Sequence, residues 1–140
     1  MTQVNFYTLA SDAAQDRLQF VCRLTEKAFS LGHRVHIYTD SEQQAKLLDD
    51  LLWQFMPTSF IPHRLSEADQ DCEEPVSIGS HLAPSHGDVL INLGSKPCQL
   101  EDRFSRINEV ISSDHDSLEQ GRTRYRFYKD KAYPIETFKL

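Results

Sequence analysis

The sequence predicts an α/β fold, with strands and amphipathic helices alternating around a mainly parallel central sheet. Three observations carry this expectation. The runs QVNFYTL and RVHIYT, rich in β-branched and aromatic residues, are each followed by a longer stretch with apolar residues at three- and four-residue spacing. Alternation of strand and helix calls for crossovers between parallel strands. A later run, DVLINL, is almost continuously apolar, as a strand covered on both faces must be. At 140 residues the chain is long enough to bury its own core, and one domain spanning 1–140 is expected.

Taken in order, residues 3–9 place Val4, Phe6 and Thr8 on one face and Asn5, Tyr7 and Leu9 on the other, a strand pattern. From about Asp12 to Leu31, the residues Leu18, Val21, Cys22, Leu24, Ala28 and Phe29 form the apolar stripe of a helix, with Gly32 as its C-terminal cap. RVHIYT (34–39) is the second strand. DSEQQAKLLDDLLWQF is the second helix, with Ser41 as N-cap and Glu42 in the first turn. Pro57 and Pro62 make MPTSFIPH irregular, and the acidic segment 66–74, short of large apolar residues, reads as an exposed loop. Further strands are expected at PVSIG (75–79), DVLINL (88–93) and RINEVIS (106–112), and a short helix near Leu100. DHDSLEQGRTRYRFYKDKA is the final helix, capped by Asp114 or Asp116, and PIETFKL is a terminal edge strand or a tail.

Composition excludes several function classes. Hydrophobic content of 39% and charged content of 26% are those of a soluble globular protein. No apolar run approaches the roughly 20 residues that cross a bilayer. The N-terminus lacks a basic segment followed by an apolar block, so no signal peptide and a cytoplasmic location are expected. Cys22, Cys72 and Cys98 are scattered, with no CxxC, which suits free thiols in a reducing compartment. Net charge is −6, yet residues 122–140 carry six Arg and Lys against Asp130 and Glu136, leaving the remainder at −10. Such an acidic body should be repelled by duplex DNA, whose binders present a broad basic face, whereas the small basic patch suits a small anionic partner.

The motifs carrying chemistry are few. FYTLASDAAQD, at the first strand–helix junction, has neither GxGxxG nor GxxxxGKS, so a Rossmann-like three-layer shape without a nucleotide cofactor is expected. His81 and His86, with Cys72 or Cys98, offer zinc-compatible atoms but no close ligand pair, and read as solvated loop residues, so no metal is expected. In SDHDS, His115 lies between two carboxylates, an arrangement that helix capping explains without catalysis. No nucleophile elbow is present. LLWQFMPTSFIPH crowds Leu51, Leu52, Trp53, Phe55, Met56, Phe60 and Ile61 together, either as core or as an exposed aromatic anchor for a partner. On the last helix Arg122, Tyr125, Arg126 and Lys129 share one face at spacings of three and four, with Phe127 and Tyr128 turned elsewhere. Spacing alone leaves that face open between a solvated helix end favoured by the dipole and a site for carboxylates.

NFYTL, LLWQFMPTSFIPH, PVSI, DVLINL and RYRFYKDKAYPIETFKL, in this order, resemble the chi subunit family of bacterial DNA polymerase III holoenzyme across nearly the whole chain. The most specific pieces are Trp53 with SFIPH, and the Arg- and Tyr-rich helix ending in Lys-Leu. The resemblance implies a Rossmann-like, non-enzymatic replisome adaptor without cofactor. It would form a one-to-one complex with the psi subunit, reach the clamp loader through psi, and grip the acidic, Phe-terminated C-terminal tail of single-stranded-DNA-binding protein. Carried over by position, the tail site is Arg122, Tyr125, Arg126 and Lys129, with Thr137 as a further contact and Ile111 lining the pocket for the terminal Phe. Trp53 and Phe60 match the psi-associated surface, and Pro57 shapes the loop between them. Arg126 stands where a lysine can stand in the family. Two rivals are weighed against this reading: direct binding of single-stranded nucleic acid, since alternating Arg and Tyr suit phosphates and bases, and a small Rossmann-like enzyme using the His81–His86 loop or SDHDS.

Overall fold

A computed structural model describes residues 2–39, 41–55, 63–65, 76–79, 88–94 and 104–139; of 53–55 and 63–65 only the backbone is described. The elements are β1 (Gln3–Thr8), α1 (Ala14–Ser30), β2 (Val35–Tyr38), α2 (Glu42–Phe55), β3 (His63–Leu65), β4 (Val76–Gly79), β5 (Val89–Asn92), β6 (Arg106–Ile111), α3 (His115–Asp130) and β7 (Ile135–Lys139). Among the described residues seven strands form one sheet in the order β3-β4-β2-β5-β6-β1-β7, and every neighbouring pair is parallel. The mainly parallel α/β expectation is met.

Alternation along the strands sorts side chains to two faces. Val35 and Ile37, Val76 and Ile78, and Val89 and Ile91 join Leu18, Val21, Cys22, Leu48 and Leu52 of α1 and α2 in one buried cluster. Val4, Phe6, Leu90, Ile107 and Ile111 point the other way and meet Tyr128 of α3. Helices thus cover both faces, giving the three-layer, Rossmann-like arrangement.

The helix ends follow from local chemistry. Ser41 Oγ accepts from the Gln44 amide at 3.3 Å, and Asp114 accepts from the Ser117 amide at 3.1 Å, so both caps lie where the sequence suggests. At the C-terminus of α1 the cap is Leu31, and Gly32 follows it at φ 86°. The Gly32 amide donates to Phe29 O and the His33 amide to Ala28 O, both at 3.0 Å, the paired bonds of a Schellman end. α3 ends the same way, with Ala132 to Lys129 O at 3.0 Å and Tyr133 to Tyr128 O at 3.2 Å, but here alanine occupies the left-handed position at φ 62°.

Two details depart from or decide the sequence reading. His63–Leu65 forms an edge strand beside β4 where the sequence suggests irregular chain; three residues are too few for periodicity to register. PIETFKL resolves as a strand, β7, paired with β1 from Val4↔Ile135 to Thr8↔Lys139. The helix expected near Leu100, the loop 66–74 and the candidates Cys72, His81, His86 and Cys98 lie outside the described residues.

Candidate protein-docking face

α3 sits on the sheet by a seam of Gly121, Arg124 and Tyr128, all buried, at spacings of three and four. A Cβ on Gly121 would come within 2.5 Å of Ile111 Cδ1, so any larger residue would have to displace the Ile111 side chain for α3 to approach β6 this closely. Beside it Arg124 Nε donates to Glu109 Oε1 at 2.9 Å, while Glu109 Oε2 accepts from Tyr128 OH at 2.6 Å and from Asn92 Nδ2 at 2.9 Å. Glu109 is wholly buried and Arg124 is 2% exposed. A desolvated carboxylate is tolerated because these three donors hold it, one of them the countercharge.

Burying that seam leaves the adjoining side of the helix exposed. Arg122, Tyr125, Arg126 and Lys129 are all exposed along α3. Arg122 Nη1 lies 3.4 Å from Glu119 Oε1, a solvent-exposed ion pair of small consequence. The Tyr125 ring packs at 5.4 Å from Phe6 of β1, inclined at 59°, so its orientation is set by the sheet. Phe6 is the register partner of Thr137 on β7, and in a parallel pair the two side chains share a face. The structure therefore joins Tyr125 to Thr137 through Phe6, although they are distant in sequence.

Ile111 is placed differently. Its side chain lies under Gly121, one residue from Arg122, and is 6% exposed. It also lines a cleft of about 300 Å³ at the carboxyl ends of the strands, with Arg17, Gln44, Gly94, Gln120 and Arg124. Arg122, Tyr125, Arg126 and Lys129 do not line this cleft. Trp53 falls in the last turn of α2, but its side chain, with Pro57 and Phe60, lies outside the described residues.

Two residues escape the sequence reading. Arg124 belongs to the alternating Arg–Tyr run yet faces inward, so its charge is spent on Glu109 and does not join the exposed patch. Phe6 is the apolar base of Tyr125. The available signal for the first was Glu109, a carboxylate followed directly by Val110 and Ile111 in the strand RINEVI, which demands a partner once that strand is buried.

The chemistry of SDHDS is local. His115 is exposed, and hydrogen bonds from the hydroxyl and amide of Ser117 hold the Asp114 carboxyl below its usual range, as helix capping requires. Among the described residues no group of three His, Cys, Asp or Glu is placed to hold a metal ion. Nor, among them, is any helix long and apolar enough to cross a membrane.

The chain matches the family model described as DNA polymerase III chi subunit, HolC, over residues 1–136. It is similar to the DNA polymerase III subunit chi of Pseudomonas aeruginosa, 38% identical over 141 residues that cover 100% of this chain and 98% of the relative. The DNA polymerase III subunit chi of Escherichia coli is 31% identical over 144 residues, covering 98% of this chain and 97% of the relative. That of Haemophilus influenzae is 29% identical over 135 residues, covering 94% and 93% respectively. With the parallel three-layer fold and near-complete coverage in agreement, the chain belongs to the DNA polymerase III chi subunit family.

Proposed function

We propose that this protein is a non-catalytic, single-domain adaptor of the cytoplasmic replisome. One surface joins it to the psi subunit and so to the clamp loader; the α3 face grips the acidic, Phe-terminated tail of single-stranded-DNA-binding protein. The supporting observation is the exposed row Arg122, Tyr125, Arg126 and Lys129, with Tyr125 seated on Phe6 beside Thr137. Guanidinium groups pair with the tail's carboxylates, while Tyr125 and apolar side chains near Ile111 receive the ring. Exposed ion pairs contribute about 0–1 kcal/mol each, so the ring and terminal carboxylate supply much of the specificity. Micromolar affinity follows, roughly −8 kcal/mol, weakening with salt. The acidic body disfavours direct DNA binding, which makes recruitment depend on the coating protein.

The test is calorimetric titration with a synthetic acidic peptide ending in phenylalanine. Arg122→Ala and Arg126→Ala are each expected to weaken binding about two- to fivefold with an unchanged circular dichroism spectrum. Unchanged affinity in both variants refutes the site. For psi, substitution of Trp53 or Phe60 is expected to release that subunit and leave the peptide bound; loss of both together identifies a core role instead.

A further inference from the structure

β7 lies at the end of the sheet and pairs only with β1 among the described residues. The direction of its backbone groups follows from one bond. The Val4 amide donates to Pro134 O at 2.9 Å, and in a parallel ladder each residue turns its N–H and C=O to the same side, alternating along the strand. Pro134, Glu136 and Phe138 therefore face β1, whereas Ile135, Thr137 and Lys139 direct their backbone N–H and C=O groups outward.

The edge is pre-formed. Phe138 stacks on Tyr7 at 5.0 Å and 16°, and Tyr7 packs on Phe20 of α1 at 5.4 Å, which braces β7 although four of its five residues are exposed. A rigid edge loses little conformational freedom when another strand pairs with it.

Charge identifies the occupant. Thr137 and Lys139 project their side chains to the α3 face, since their partners Phe6 and Thr8 do. Thr8 is also the partner of Ile111, beneath Gly121 and next to Arg122, so Lys139 and Arg122 lie toward the same end of the sheet. Arg126 and Lys129 extend the positive row along α3. On the opposite face Glu136 repels carboxylates. A second copy is a poorer match: antiparallel self-pairing centred on Thr137 sets Glu136 against Phe138 and Ile135 against Lys139, with no opposite charges facing.

We infer that β7 is a template for strand addition, and that the acidic tail binds as an eighth, extended strand on its outer edge, with carboxylates on the α3 side. The inference rests on the tail being the ligand of this face, and adds that main-chain hydrogen bonds to Thr137 carry part of the binding.

Proline is tolerated where an edge strand's N–H faces solvent, so Thr137→Pro removes the outward donor while Thr137→Val keeps it. The Pro variant is expected to bind the acidic peptide about tenfold more weakly than the Val variant, the worth of one main-chain bond and its alignment. Saturating peptide is expected to slow hydrogen exchange at the Thr137 amide of the wild type. Where Thr137→Pro lowers the circular dichroism signal, wild-type protein is titrated with peptides N-methylated at alternate amides; one alternate set alone abolishes binding. Equal affinities for the Pro and Val variants, or an unchanged Thr137 exchange rate, overturn strand addition while leaving the tail site intact if Arg126→Ala still weakens binding. Wild-type protein that fails to bind the peptide overturns both readings. A concentration-dependent dimer that protects Thr137 without peptide assigns the edge to a second copy and overturns this one.

Discussion

Arg124→Ala tests which arginines of α3 serve the fold. Glu109 has no exposed surface, and its carboxylate is held by Arg124 Nε at 2.9 Å, Asn92 Nδ2 at 2.9 Å and Tyr128 OH at 2.6 Å. Removing one partner of a buried ion pair costs about 3–5 kcal/mol, because the remaining charge stays desolvated. Tyr128 and Asn92 still donate in the variant, which sets the expectation at the lower end, about 3 kcal/mol. Arg122 has a side chain 66% exposed, and the same truncation there costs under about 0.5 kcal/mol. Urea unfolding followed by circular dichroism measures both, as a shift of the midpoint at constant slope. In a thermal scan the Arg124 variant should lose roughly 10 °C in Tm. A double variant, Glu109→Gln with Arg124→Met, removes both charges while keeping an acceptor for Tyr128, and should recover most of the loss. A cost below about 1 kcal/mol for Arg124→Ala, or strictly additive effects in the cycle, would refute the view that this pair is a buried charge held by α3.

Three further outcomes follow from the same packing. Gly121→Ala gains about 1 kcal/mol of helix propensity but drives a methyl to 2.5 Å from Ile111 Cδ1, an overpacking cost of about 1–3 kcal/mol, so a net loss in urea midpoint is expected and Ile111→Val should reverse it. Ala132→Gly relieves the left-handed alanine at φ 62°, about 1–2 kcal/mol, against about 0.4–1 kcal/mol of added unfolded-state entropy, and should raise Tm slightly; a fall contradicts the Schellman end. Asp114 has its carboxyl lowered in the folded state by Ser117, so its contribution is fully present above the ordinary value near 3.8 and is lost as pH falls through the lower folded value. Asp114→Asn should therefore flatten the acid limb of a urea-midpoint profile below that pH, and an unaltered limb would contradict the cap.

Much of the architecture is legible as periodicity. The stripe through Leu18, Val21, Cys22 and Leu24 declares α1, and the almost continuously apolar run DVLINL declares a central strand, because each pattern admits one way of hiding its surface. β3 is not legible, since three residues form no period. The basic face of α3 is partly legible. Helical spacing separates Arg124 from Arg122 and Arg126, but spacing alone does not say which side turns inward.

The sequence by itself determined the alternation of strands and helices from β1 to α2, the cap at Ser41, the absence of a phosphate-binding glycine loop at the first junction, and the family. These depend on neighbouring residues or on the whole string of them. Tertiary structure alone decided that Arg124 answers Glu109, that Gly121 lets α3 settle on Ile111, and that Tyr125 and Thr137 meet through Phe6. Those pairings are set by strand order, which places β7 beside β1 and β1 beside β6. Strand order arises from the global competition among hydrogen-bonding edges and crossovers, and no local pattern of residues encodes it.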